Sequence, residues 1–173
     1  GSAENGGDSS SVAAQLDSDV VEICGTGGAF AARKSTGAVI TWGQVVTGGD
    51  SHSVAPELRY GVNAVFSNGL AFVALRPGQT CDVVTWGHEQ FGGDCAEARQ
   101  RLALGGRVVA VSGTAMAFAV LTERGEVITW GSTQFGGSCP QHVTDELKGD
   151  VVAVFSNGAA FAALKPAAAS AGR

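Results

Sequence analysis

The feature that most limits what this chain can fold into is a sentence written three times. "VITWGQVVTGGD" runs from 39 to 50, "VVTWGHEQFGGD" from 83 to 94 and "VITWGSTQFGGS" from 127 to 138. Double glycines begin at Gly6, Gly48, Gly92 and Gly136, which are 42, 44 and 44 residues apart. Ala-Phe pairs recur at Ala29-Phe30, Ala71-Phe72, Ala117-Phe118 and Ala160-Phe161, and Trp-Gly at Trp42, Trp86 and Trp130. Three independent markers with one period of about 44 residues define a repeat architecture.

Each unit divides into four parts. A polar loop leads into a short amphipathic turn, "SVAAQL", "SVAPEL", "EARQRL" or "HVTDEL". Its apolar ends Val12/Leu16, Val54/Leu58, Ala98/Leu102 and Val143/Leu147 stand four apart, on one face of one helical turn. Asp8, Asp50 and Asp94, just after the double glycines, suit the start of that turn. An alternating strand follows ("VNAVFSNG", "VVAVFSNG"), then a second after a Gly-rich turn ("AFVAL", "AFAVL", "AFAAL"), then the β-branched "VVTWG" or "VITWG". A unit this small cannot bury its own apolar face and must stack on its neighbours.

The expectation is therefore all-β: a β-propeller-like repeat array of four pseudo-equivalent units, each of about three strands plus a short helical turn. The units span about 1–43, 44–87, 88–131 and 132–166, with a small polar tail at 167–173. Four Ala-Phe markers argue against a three-lobed trefoil. Counting back from Gly6 places Gly1 in the slot of a Trp-Gly glycine, and "AFAALKP" stops short of another "VVTWG". The ring is thus expected to be incomplete or closed by oligomerisation, the alternative being a fragment of a larger repeat protein.

Composition agrees. Of 173 residues 26 are glycine and only 16% are charged, a balance that suits short strands and tight turns. The net charge of −5 and eleven scattered basic residues offer no stripe that could follow phosphates, so nucleic acid is not an expected partner. No apolar run reaches the 18 residues of a membrane span. The cysteines, Cys24, Cys81, Cys95 and Cys139, form no CxxC pair and are expected as free thiols, Cys24 as a small buried hydrophobe.

The string "GVNAVFSNGLAFVALRPGQTCDVVTWGHEQFGGDCAEARQ" resembles a blade of the regulator of chromosome condensation repeat superfamily, in particular the short three-stranded blades of the secreted β-lactamase inhibitor propellers. The resemblance rests on Val62 to Val65, Ala74-Leu75, Val83 to Gly87 and Ala163-Leu164-Lys165, and extends from about Gly6 to Lys165. It implies propeller blades whose connecting loops gather on one face and carry a binding surface. The superfamily includes exchange factors, enzyme inhibitors and photoreceptors, so the resemblance names no partner. The chain departs from the usual seven blades, and has Gly-Gly-Asp or Gly-Gly-Ser after the loop.

A search for chemistry finds little. His52, His88 and His142 fall at different places in the unit, with no nucleophile elbow or Walker loop. "GTGG" at 25–28 sits at a strand-to-strand turn, a weak phosphate signal. Cys139 and His142 with Cys95 lack a second paired motif for zinc. Asp8, Asp50 and Asp94 read as turn chemistry before an axial carboxylate ring, and the tryptophans as inter-blade core before a sugar-stacking set. No catalytic residue, metal or cofactor is expected.

What remains is the variable loop between Trp-Gly and Gly-Gly. Its candidates for contact with a partner are Val46, His88, Glu89, Gln90, Phe91, Ser132, Thr133, Gln134 and Phe135. Phe91 and Phe135 are equivalent: tucked inward they wedge blades apart, and exposed they make an aromatic patch. The expected function is a non-catalytic protein-binding module presenting these loops. The alternative is a structural subunit that self-assembles, as a possible homodimer, through its open edge strand.

Overall fold

The computed structural model describes residues 1–78 and 83–167; Cys81 and nearly all of the tail lie outside the described residues. The repeating unit is a small antiparallel sheet. Blade one holds β1 (Val20–Gly25), β2 (Ala29–Lys34) and β3 (Val39–Gly43). Blade two holds β4 (Ala64–Ser67), β5 (Ala71–Leu75) and β6 (Val83–Gly87). Blade three holds β7 (Val108–Gly113), β8 (Ala117–Thr122) and β9 (Val127–Gly131), and blade four β10 (Ala153–Ser156) and β11 (Phe161–Leu164). Strand order follows chain order in every sheet. Four three- or two-stranded sheets in series make a β-propeller-like array, as the period predicts.

Helix is confined to the linking segments: α1 (Ala13–Leu16), α2 (Ala55–Leu58), α3 (Arg99–Leu104) and α4 (Gln141–Glu146), with short 3-10 turns between strands. Leu58, Ala98 and Leu102 are buried as the four-residue spacing predicts, whereas Leu16 and Leu147 are half-buried.

The inner hairpins hold the blades together. In each, the residue before a two-residue turn closes it: Thr26, Asn68, Thr114 and Asn157 donate their N–H to the carbonyls of Ala29, Ala71, Ala117 and Ala160 at 2.9 to 3.1 Å. The turn N–H groups then reach the next blade. Gly27 donates to the carbonyl of Gly69 (2.8 Å), Gly69 to that of Ala115 (3.0 Å), and Ala115 to that of Gly158 (3.0 Å). β1, β4, β7 and β10 are thereby adjacent and innermost, and β3, β6 and β9 lie outermost. The same bonds answer the phosphate signal of "GTGG": the N–H of Gly27 is spent on the next blade, and that of Gly28 on the Thr26 hydroxyl.

The core is a series of seams between blades. Ala29 and Ala31 of blade one pack with Val62, Val65, Phe72 and Trp86. Ala71, Val73 and Val83 of blade two pack with Phe118, Val120, Ile128 and Trp130. The third seam, Ala119, Leu121 and Val127 against Val151, has no tryptophan. Such stacking is what a unit unable to bury its own face requires.

The two ends of the array leave this pattern incomplete. Ile23 is 59% exposed although its repeat equivalent Val65 is 4% exposed, and Phe155 is 59% exposed although its equivalent Phe66 is packed against blade three.

Candidate binding face

The thrice-written motif is a lock between units. Trp42, Trp86 and Trp130 sit opposite Phe30, Phe72 and Phe118 in the sheet register, with ring centroids 5.3, 5.1 and 5.7 Å apart. Each indole N–H donates to the first carbonyl of the preceding double glycine: Trp42 to Gly6 (3.0 Å), Trp86 to Gly48 (3.1 Å) and Trp130 to Gly92 (3.0 Å). Trp86 and Trp130 are buried and belong to the inter-blade core, unavailable for stacking on sugar, whereas Trp42 is half-buried.

The glycines follow from this contact. Gly48 has φ +102°, and a Cβ there would stand 2.5 Å from the Phe72 ring; its neighbour Gly49 would carry one 2.3 Å from the carbonyl oxygen of Gly43. Gly92 and Gly93 are placed alike against Phe118 and Gly87. Only a residue without a side chain fits both the left-handed conformation and the approach.

A second lock closes each loop from the other side. Asn68 Nδ2 donates to the carbonyl of Phe91 (2.7 Å), while Thr26 and Thr114 donate through Oγ1 to Thr47 (3.0 Å) and Phe135 (2.9 Å). Held by these bonds, the loops form single 3-10 turns, Val45–Thr47, Glu89–Phe91 and Thr133–Phe135. The aspartates then turn the chain: Asp8, Asp50 and Asp94 accept from the N–H groups of Ser10, His52 and Ala96 at 2.8 to 2.9 Å. These bonds hold the Asp8 and Asp50 carboxyls below the usual carboxylate range, with the backbone N–H as the larger cause in each. The carboxylates serve their own turns, as their sequence positions predict.

The candidate residues divide. Glu89, Gln90, Phe91, Ser132 and Thr133 line one open groove of about 700 Å³ between the second and third loops. Val46, His88, Gln134 and Phe135 do not line it. Val46, Glu89, Gln90, Thr133 and Gln134 are exposed, and His88, Phe91, Ser132 and Phe135 half-buried. The His88 ring lies on Phe91 at 4.3 Å. Phe91 and Phe135 occupy the position of the buried Thr47, so they lean inward.

The groove also takes residues that inspection of the variable loops alone misses: Asp94, Glu97 and Arg101 from the segment after the double glycine. Arg101 is already paired with Glu126 Oε1 (2.9 Å) and the Val127 carbonyl (3.0 Å). Glu89, Asp94 and Glu97 therefore leave the groove with an acidic surplus. The available signal was the conserved length of the unit, which puts the helical turn of one loop beside the strand of the next.

Cys24, expected as a small buried hydrophobe, is half-buried. Burial, with the Glu22 charge second, pushes the Cys24 thiol up to about 12. Among the described residues no three His, Cys, Asp or Glu side chains converge as ligands for a metal, and no helix is long and apolar enough to cross a membrane.

No family model matches the sequence, and no curated protein matches it. Solved structures do. The chain is similar to human WBSCR16, with 18% identity over 85% of this chain and 38% of that one, at a TM-score of 0.48. It is similar to yeast RCC1 (Prp20) in a complex with Kap60, with 18% identity over 71% of this chain and 32% of that one, at a TM-score of 0.49. A third likeness is to Prp20p from Saccharomyces cerevisiae, described with its binding to Gsp1p and histones, at 13% identity over 71% and 33% and a TM-score of 0.47. The chain spans about a third of the length of these proteins.

Proposed function

We propose that this chain is a non-catalytic protein-binding module whose loops between Trp-Gly and Gly-Gly meet the partner. The observation that supports it best is the groove between the second and third loops, where Glu89, Gln90, Phe91, Ser132 and Thr133 come together. The groove is open, mixed in polarity and acidic, with a half-buried aromatic at its side; this suits a protein segment carrying basic side chains. The yeast Prp20 structures are of a protein with protein partners, Kap60 in one and Gsp1p and histones in the other, and a protein partner is proposed here too.

A photo-crosslinker at Gln90 or Thr133 should trap the partner, whereas one at Glu4, ahead of the first double glycine, should not. Glu89→Lys combined with Glu97→Lys should then weaken the purified interaction at least about tenfold and reverse its salt dependence. An interaction indifferent to both charge reversals would rule out the groove as the contact.

A second reading is favoured by the exposed ends of the array. Val21 and Ile23 on blade one, and Phe155 and Leu164 on blade four, form faces of the kind that an adjoining blade covers. We infer that the two faces meet, so that copies assemble end to end, up to a closed dimer. Light scattering across a concentration series should show association that Ile23→Asp and Phe155→Asp each abolish. A monomer at every concentration would end this reading.

A further inference from the structure

The turn that joins the last two strands of a blade is built alike in blades one and three. Lys34 donates its N–H to the carbonyl of Ala38 (2.8 Å), and Gly37 to that of Lys34 (2.9 Å). Thr122 and Gly125 make the same two bonds, to Glu126 and Thr122, both at 2.9 Å. Lys34 thus corresponds to Thr122, and Ala38 to Glu126. The helical turns correspond as well: Gln15 and Arg101 each stand one place before the leucine of their turn. In blade three the charges at this spot close on themselves, because the Arg101 guanidinium donates through Nε (3.0 Å) and Nη2 (2.9 Å) to Glu126 Oε1. Blade one differs. Position 38 is an alanine, and the cation comes from the other side as Lys34, whose Nζ donates to the Gln15 carbonyl (2.9 Å). Here the outer strand β3 borders a pocket of about 380 Å³, lined by Lys34, Arg59 and Ser51 and by the aliphatic side chains of Val39, Ile40 and Leu58. Ile40 and Leu58 are buried, which makes an apolar floor. No carboxylate is among the lining residues. Glu22 of the same blade is spent on Arg33 (2.6 Å), and Arg59 makes no ion pair among the described residues.

We propose that this pocket binds the carboxylate of a small organic acid, with the charge held by Lys34 and Arg59 and the aliphatic body laid on Val39, Ile40 and Leu58. Blade three supplies the template. There the carboxylate is the chain's own, at position 126, and it meets a cation from the neighbouring helical turn. In blade one the cations remain and the carboxylate comes from outside. Two cations with no acid beside them make a local positive potential. Lys34 Nζ has two donors beyond the bond to Gln15, and the Arg59 guanidinium presents a fork that fits a carboxylate. The apolar floor selects against inorganic phosphate, which would lose its water on that side and gain no donor there. The volume is of the order that small ligands occupy, and a carboxylate on a short aliphatic body fits within it. Such a group belongs either to a free acid or to the C-terminal residue of a peptide. The pocket shares no residue with the groove between the second and third loops, so this proposal and the proposed function stand or fall independently.

The test is a titration of the whole chain with sodium hexanoate, read by amide NMR at constant ionic strength. Saturable shifts are expected at residues 34, 38–40, 51, 55, 58 and 59. Dissociation should lie in the millimolar range, as befits a ligand of about eight heavy atoms. Hexanamide, which keeps the shape and lacks the charge, should bind at least about tenfold more weakly, and so should inorganic phosphate. Lys34→Gln and Arg59→Gln should each weaken hexanoate by about threefold to tenfold. Ala38→Glu gives blade one the carboxylate that blade three already has, and should abolish the binding with the melting temperature kept; should that variant not fold, the Lys34 and Arg59 variants decide. N-acetyl-Gly-Leu with a free C-terminus separates the sources. Binding tighter than that of hexanoate assigns the pocket to a peptide terminus, and weaker binding assigns it to a free acid. No saturable shift up to tens of millimolar, or shifts centred elsewhere, would overturn the proposal. So would phosphate or hexanamide binding as well as hexanoate, indifference to both Lys34→Gln and Arg59→Gln, or a folded Ala38→Glu that binds as before.

Discussion

Trp86→Ala should destabilise the chain by about 3 to 5 kcal/mol, the range for removing a large aromatic from a close-packed core. The side chain is 3% exposed, stacks on Phe72 at 5.1 Å and closes the seam between blades one and two. The substitution leaves a cavity and deprives the Gly48 carbonyl of its indole donor in a buried position. Trp42→Ala makes the same chemical change where the ring is half-buried and outside the buried seams among the described residues, and should cost about 1 to 2 kcal/mol. Urea denaturation of both variants checks the pair. Equal losses would mean that the tryptophans act within their own sheets and not across the seams.

Gly48→Ala should cost about 2 to 6 kcal/mol, a large penalty for one methyl group. Two terms add. At φ +102° an alanine is strained by about 1 to 3 kcal/mol. Its Cβ would also stand 2.5 and 2.7 Å from Phe72 Cδ2 and Cε2, and that ring is held by Trp86, so relief means shifting the lock itself, at about another 1 to 3 kcal/mol. Gly61→Ala separates the terms. Gly61 has φ +76° and open space around the position of a Cβ, so only the conformational cost of about 1 to 2 kcal/mol applies. Thermal unfolding of the two variants should therefore differ clearly. Similar losses would show that backbone strain alone keeps the double glycine.

These two results concern residues that stand out in the sequence, yet for reasons that only the fold supplies. Period, strand order and unit composition were legible, because alternation and β-branched runs are local and each unit repeats them. The same holds for Asp50 and Asp94: a short polar side chain bonds its own chain two residues on, which is a local matter. Leu58 and Leu102 were readable as buried for the same reason, whereas Leu16 and Leu147 follow the same local pattern and are half-buried, because burial also depends on what lies across the seam.

The tertiary structure decided which copies of the markers touch. Trp86 could in principle pair with any of four double glycines, since all four read alike; the succession of inner hairpins, Gly27 to Gly69 to Ala115 to Gly158, brings it to Gly48. Nor did the variable loops reveal their own use. Glu89, Gln90, Ser132 and Thr133 were visible as polar loop residues, but Asp94, Glu97 and Arg101 join them only because the helical turn of one unit packs beside the strand of the next. A repeat determines its unit through contacts a few residues long. The interlocking of units rests on contacts 36 to 38 residues apart between identical parts, and among identical parts only geometry distinguishes a neighbour.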